Sequence, residues 1–137
     1  MKSIAFIDSE IEPSTRKILD IGSIKNDGNT FHNTSLDKFI VFLNGVKFIC
    51  GHNIFNHDIK FLGKALNDAD IDSTKIIDTL FLSPLLFPTK PYHALVKDDK
   101  LQTEDTNNPL NDAIKARDLF YDEVAAFTKL EEQLKKI

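Results

Sequence analysis

The sequence is short of the features that mark secreted and membrane proteins. It has a single cysteine, Cys50, so no disulfide can form within the chain. Cys50 ends the apolar run VKFIC, where a small buried hydrophobe is a commoner role than a metal ligand or a nucleophile. No apolar stretch approaches the length of a membrane span, and the run that follows Met1 is too short for a signal peptide. By elimination, a cytoplasmic location is expected.

A net positive charge is also missing. The 137 residues carry a formal charge of −4, so there is no overall basic field of the kind that attracts nucleic acid. A local groove of lysines and arginines is compatible with that charge, and a polynucleotide partner is therefore neither supported nor excluded. The length and the 42% hydrophobic content fit one domain with its own core, which we take to be residues 1–137.

The sequence does contain an alternation of short strands and helices. Residues 3–8 predict a buried central strand, and residues 17–33 predict a hairpin that turns at 26–29. An amphipathic helix is predicted between Ser35, as its N-cap, and Gly45, as its stop. Three further elements are then expected in the order strand, helix, strand, at residues 46–51, 57–70 and 75–80.

The second half of the sequence is less regular until its last helix. Residues 80–105 contain three prolines among apolar pairs, which leaves their conformation open between short turns and a lid. From Pro109 a helical pattern resumes and continues to the last residue, with the proline where its missing N–H matters least. This pattern places Asp112 in the first turns of a helix.

Acidic residues stand at strand ends and helix starts. Asp8 and Glu10 are two residues apart on a strand end, so their side chains share a face and can share one cation. Asp58 begins a predicted helix just after the carboxyl end of a strand, the usual place for a site in an open α/β sheet. The plainer roles are a solvated strand end for the first pair and a helix N-cap for Asp58. His52 and His57 have an equally plain role as surface or core histidines.

A helix that packed against the central strand would bring Asp112 towards the other acidic residues. Carboxylates that close would repel one another unless cations were bound between them. Ligand sets made only of oxygen suit Mg²⁺ or Mn²⁺, and two such ions are the usual clamp for displacement at phosphorus.

Three runs in this order resemble the motifs of the DEDD, or DnaQ-like, 3'-5' exonuclease superfamily. They are AFIDSE with ILDIGSI, then GHNIFNHDIKFL, then NDAIKARDLF, and together they extend from Ser3 to about Phe120. The resemblance implies an α/β, ribonuclease H-like fold with a mixed five-stranded sheet, its first three strands antiparallel and the rest parallel, flanked by helices. It also implies hydrolysis at the 3' end of DNA or RNA, with two Mg²⁺ or Mn²⁺ ions held by Asp8, Glu10, Asp58 and Asp112.

A narrower resemblance involves the later part of the sequence. Residues 78–101 and 107–124 resemble the N-terminal exonuclease-like region of bacterial helicases of the RecQ type. On this resemblance the chain would be an N-terminal part of a longer polypeptide that also contains a helicase region.

The general base of the superfamily is missing from its usual positions. The family has a histidine five residues, or a tyrosine four residues, before the last aspartate, and here these positions hold Asn107 and Asn108. An amide cannot take a proton from an attacking water at neutral pH. His93, His57 and Lys97 are the candidate replacements. His93 ranks first as a catalytic residue because its proline-rich segment is expected beside the site, although a structural or surface role is the commoner one for a histidine.

The leading hypothesis is therefore a metal-dependent 3'-5' exonuclease weakened by the loss of its base. The alternative is a catalytically degenerate module that holds a single-stranded 3' end for an attached helicase, and an unrelated α/β domain comes third. Ile11 follows Glu10 at a position where the family often has threonine, so the resemblance is weaker for the contact with the terminal nucleotide. The residues expected to meet nucleic acid are Ile11, Asn53, Phe55, Tyr92 and Asn107.

Overall fold

A five-stranded sheet forms the centre of the fold, which is known from a computed structural model that describes residues 3–12, 14–55, 57–80 and 108–135. Its strands are β1 (Ile4–Ile11), β2 (Ile18–Lys25), β3 (Thr30–Asn33), β4 (Phe48–Gly51) and β5 (Ile76–Asp78). They lie in the order β3-β2-β1-β4-β5. The first three strands are antiparallel neighbours, whereas β4 pairs in parallel with β1 and β5. This arrangement confirms the predicted α/β fold with a mixed five-stranded sheet, its first three strands antiparallel and the rest parallel.

Three described helices cover the two faces of the sheet: α1 (Leu36–Phe42), α2 (Asp58–Asp68) and α3 (Pro109–Leu134). Successive side chains of a strand point to opposite faces, so β1 contributes to two cores. Its residues Ala5 and Ile7 pack into a cluster with residues of α1 and α2, whereas Ile4 and Phe6 pack into a second cluster with Ala113 of α3. The rings of Phe120 and Tyr121 contact Phe6 as well. Each fully buried large side chain contributes roughly 1.5–3 kcal/mol, which makes β1 the main anchor of both layers.

The predicted helix boundaries hold with small shifts. Ser35 is the N-cap of α1, since its side chain accepts a hydrogen bond from the backbone N–H of Lys38 at 3.2 Å. Gly45 follows that helix with a φ of 82°, and Gly28 has a φ of 95° in the hairpin turn. The N-cap role considered for Asp58 is wrong: His57 occupies the cap position without a side-chain hydrogen bond, and Asp58 is the first helical residue.

Cys50 is part of the core, as predicted. Its side chain is fully buried on β4, and that burial, with Glu123 and Asp78 nearby, raises the pKa of the thiol well above its ordinary value. None of the helices that the structure describes is long and apolar enough to cross a membrane. The predictions for residues 81–107 lie outside the described residues, and so do Tyr92, His93, Lys97 and Asn107.

Candidate functional site

Asp8 and Glu10 lie where β1 extends past the end of β4. The parallel pairing of these strands reaches Phe6 opposite Cys50, so the two acidic residues follow the carboxyl end of the parallel pair. They belong to the same face of β1 as Ile4 and Phe6, which is the face that α3 covers. Both side chains are half-buried. The sheet therefore places two carboxylates at the edge where sites of open α/β sheets form.

Asp58 reaches the same end of β1 from α2. Its Oδ1 accepts a hydrogen bond from the backbone N–H of Ser9 at 3.0 Å and a second, short one from the Ser9 hydroxyl. Ser9 is the residue between Asp8 and Glu10, so a direct contact joins the first two acidic motifs. Sequence reasoning did not single out Ser9, because a serine in an apolar strand gives no signal of its own.

The second oxygen of the Asp58 carboxyl group has a different environment. The residue is 1% exposed, and within the described part of the chain its Oδ2 is buried without a hydrogen-bond partner. Burial raises the pKa of Asp58 from 3.8 to about 6, although the hydrogen bonds from Ser9 and the nearby His57 act in the opposite direction. A buried carboxylate with one bare oxygen is costly to keep charged, and a proton or a cation at that oxygen would relieve the cost.

Asp112 lies in the first turn of α3 and is 9% exposed. The start of this helix rests on β2, beside the strand that carries Asp8, because Gly22 has no side chain to hold it away. The N-terminal end of a helix also favours a negative charge, by about 0.3–1 kcal/mol for an exposed site. The first turn of α3, which contains Asp112, therefore lies on the face of the sheet that carries Asp8 and Glu10.

Asn108, which occupies one of the two base positions, is the N-cap of α3. Its side-chain oxygen accepts hydrogen bonds from the backbone N–H groups of Leu110, at 3.0 Å, and Asn111, at 3.4 Å. The amide is therefore engaged with the helix start. Of the candidate replacement bases, His57 is the one described, and its Nε2 lies 3.3 Å from the carbonyl oxygen of Ser9.

The turn between β4 and α2 is held by Asp78, the last residue of β5. The Asp78 carboxylate is 3% exposed and accepts the backbone N–H groups of Asn53 at 2.8 Å, Phe55 at 3.1 Å and Leu80 at 2.9 Å. Nearby, His52 Nδ1 lies 2.7 Å from the hydroxyl of Thr79. An acidic residue that ends an apolar strand was the signal available for this role.

Three of the residues predicted to contact nucleic acid are among the described residues: Ile11, Asn53 and Phe55. Phe55 packs its partly buried ring against the core on the α1 and α2 side. Asn53 adopts a left-handed backbone conformation with a φ of 62°, which asparagine tolerates better than most residues. Ile11 follows a shift in the β1–β2 register next to Glu10.

The residues present fit a divalent ion in part. In the described ranges no three His, Cys, Asp or Glu side chains are grouped so that they could hold one metal ion. Mg²⁺ often binds through one or two carboxylates, with water and substrate phosphate completing its shell. The bare, buried oxygen of Asp58 has the chemistry of such a ligand.

Comparisons with known proteins add little. No protein-family model matches the chain, and no curated protein matches it. Among solved structures, the chain is similar to the family B DNA polymerase from the hyperthermophilic archaeon Pyrobaculum calidifontis, with 14% identity and a TM-score of 0.42. The match covers 52% of this chain and 12% of the polymerase chain. At that level the similarity carries no conclusion about function.

Proposed function

We propose that this chain is a metal-dependent 3'-5' exonuclease domain that hydrolyses phosphodiester bonds at the 3' end of DNA or RNA. The observation that carries the proposal is the Asp58 carboxyl group, with one oxygen fixed by the residue between Asp8 and Glu10 and the other buried and bare. The Oδ2 atom of Asp58 is therefore available as a cation ligand. The ordered motifs and the α/β sheet with its acidic edge support the same reaction class.

In this proposal Asp8, Glu10, Asp58 and Asp112 are the ligands of two Mg²⁺ or Mn²⁺ ions. When bound, the ions would balance the four carboxylates and stabilise negative charge on the phosphate under attack. Ser9 keeps the Asp58 carboxyl group in one orientation. The turn held by Asp78 sets the start of α2, and in this proposal backbone groups near Glu10 and Ile11 would contact the terminal nucleotide.

Hydrolysis here would be slow for a nuclease. Water would lose a proton to a base and bond to the phosphorus of the last phosphodiester. The bond from phosphorus to the 3' oxygen of the preceding nucleotide would break, that oxygen would take up a proton, and the terminal nucleotide would be released as its 5' monophosphate. Loss of a general base lowers such a rate by roughly 10²- to 10⁴-fold. We propose His93 as the replacement base. His93→Ala should lower the cleavage rate while leaving Mn²⁺ affinity unchanged, and an unchanged rate would remove His93 from the mechanism.

A second function is favoured by the engagement of Asn108 as a helix cap. A chain without a base at either usual position fits a degenerate module that binds a single-stranded 3' end, next to a helicase region in the same polypeptide. Phe55 and Tyr92 would then stack on bases, each worth about 1–3 kcal/mol.

Labelled substrates separate the two functions. Single-stranded DNA and RNA carrying a 5' label are incubated with the protein and Mn²⁺ or Mg²⁺, next to Asp8→Ala and Asp58→Asn. Asp37→Asn, at an exposed position in α1, is the matched control. Stepwise shortening that both site variants lose and the control keeps supports the enzyme. Binding without shortening supports the module, and the absence of both refutes the two proposals together.

A further inference from the structure

The backbone of α3 lies directly on the backbone of β2 at Gly22. A Cβ atom built on Gly22 would stand 2.0 Å from the backbone nitrogen of Leu110 and 2.2 Å from the carbonyl carbon of Pro109. Real Cβ atoms essentially never come within 3.0 Å of a heavy atom outside their own residue and its two chain neighbours, so no other residue type fits without moving the helix. Glycine inside a strand often marks such a close approach of another backbone.

This contact lies beside the predicted metal ligands. Gly22 is paired directly opposite Asp8, so the missing side chain and the Asp8 carboxylate belong to the same face of the sheet. Leu110 is two residues before Asp112 in the same helical turn. The position of the helix start on β2 therefore determines how far Asp112 stands from Asp8.

In the described part of the chain, the first turn of α3 meets the sheet through the backbone of Pro109 and Leu110 at Gly22. The other described contacts of α3 with β1 lie further along the helix. Ala113 and Ala116 are buried one and two turns further on and hold the axis of α3 against the sheet. Phe120 and Tyr121 contact Phe6 still further along the helix, whereas the backbone contact at Gly22 acts on the first turn, which carries Asp112.

We propose that Gly22 is a positioning residue of the carboxylate site: its bare backbone seats the first turn of α3 and so sets the spacing between Asp8 and Asp112. The proposal rests on the function proposed above, since it treats both aspartates as ligands. Metal binding would then depend on a residue that has no side chain and cannot itself be a side-chain ligand.

Gly22→Ala tests the proposal, with Gly63→Ala as the control. Gly63 lies in α2, where an added Cβ would meet only ordinary contact, with Ile59 Cγ2 at 3.6 Å. The Kd for Mn²⁺ is measured by electron paramagnetic resonance of the free ion, and folding is checked by circular dichroism without metal. Gly22→Ala should keep its secondary structure and bind Mn²⁺ roughly 10- to 100-fold more weakly, as for loss of a group that orients metal ligands. Gly63→Ala should bind as the wild type does.

A folded Gly22→Ala protein with wild-type Mn²⁺ affinity overturns the proposal. If that variant does not fold, the wild type decides: a nuclear Overhauser effect between a Gly22 Hα and the Leu110 amide proton supports the proposal, and its absence overturns it. A wild-type protein that binds no Mn²⁺ refutes the proposed function instead. In that case a nuclear Overhauser effect between a Gly22 Hα and the Leu110 amide proton still tests the contact, and its absence overturns the seating.

Discussion

Ser9 stands between two carboxylates in sequence and binds a third in space. Its hydroxyl and its backbone N–H both go to Oδ1 of Asp58, across 49 positions of the chain. Hydrogen bonds to a charged group are worth about 1.5–3 kcal/mol, more than those between neutral groups. Burial raises the pKa of Asp58, and the hydrogen bonds from Ser9 hold that pKa lower than burial alone would.

Ser9→Ala should destabilise the metal-free protein by about 1.5–3 kcal/mol at pH 7.5, and by less at pH 5, where Asp58 is largely protonated. The matched control is Ser23→Ala, because Ser23 is also fully buried and its hydroxyl donates to the carbonyl oxygen of Phe6 at 2.9 Å. The destabilisation caused by Ser23→Ala should be the same at both pH values. Urea unfolding of the three proteins at each pH measures the effect, and equal pH dependence in both variants would contradict it.

The stability of the metal-free protein should itself depend on Asp58. The folded-state pKa of this group, about 6, lies above its ordinary value of 3.8. The folded protein therefore keeps a proton that the unfolded chain has already lost. The stabilisation is complete below pH 3.8 and is lost as the pH rises through 6. The gap between the two values corresponds to roughly 3 kcal/mol, at about 1.4 kcal/mol per pH unit.

Asp58→Asn isolates this contribution, since an amide keeps the acceptor for Ser9 and does not titrate. Urea unfolding in the presence of a chelator gives the free energy of unfolding of both proteins between pH 4 and 8. Wild type should lose stability relative to the variant as the pH rises across that range. A constant difference would show that Asp58 has its ordinary pKa.

At the scale of elements, the sequence predicted strands and helices better than the links between them. The period of apolar residues, the N-cap at Ser35 and the proline at the start of α3 are local signals, and the elements they predicted are present. The N-cap role considered for Asp58 was wrong, because an acidic residue at a helix start satisfies the local rule for a cap. Its partner is on β1, and no local pattern reports a contact over that separation.

Asp78 joins β5 to the turn that leads into α2. It takes three backbone N–H groups, so Asp78→Ala leaves buried donors without partners and should destabilise the protein by about 3 kcal/mol or more. Asp78→Asn keeps one acceptor oxygen and should be affected less. Hydrogen exchange at the amides of Asn53, Phe55 and Leu80 should accelerate in the alanine variant. Asp72→Ala is the control, since that carboxylate is fully exposed and caps a short turn at Thr74. Unchanged exchange at those three amides would contradict the role given to Asp78.

At the scale of the whole molecule, two helices on opposite faces of the sheet converge on one strand end. The order of the acidic motifs along the sequence predicted this convergence. The close contact between Gly22 and the start of α3 was not predictable, because the helix begins 87 positions later in the chain, at Pro109. A glycine in a strand is a weak signal alone, and its meaning comes from the backbone that lies on it.

A site built in this way should couple ion binding to the stability of the whole fold. Binding only to the folded state at 100 times the Kd stabilises it by about 2.7 kcal/mol, or roughly 10 °C in Tm for a domain of this size. Mn²⁺ should produce that rise in the wild type and in Asp37→Asn. Asp58→Asn and Asp112→Asn should lose most of it, although one contributes from α2 and the other from α3. A rise that survives in either variant would remove that residue from the ligand set. If the two helices bind the same ions, both variants should lose the Mn²⁺-dependent rise in Tm to the same extent. If each aspartate bound an ion independently, each variant would keep the part of the rise that comes from the other aspartate.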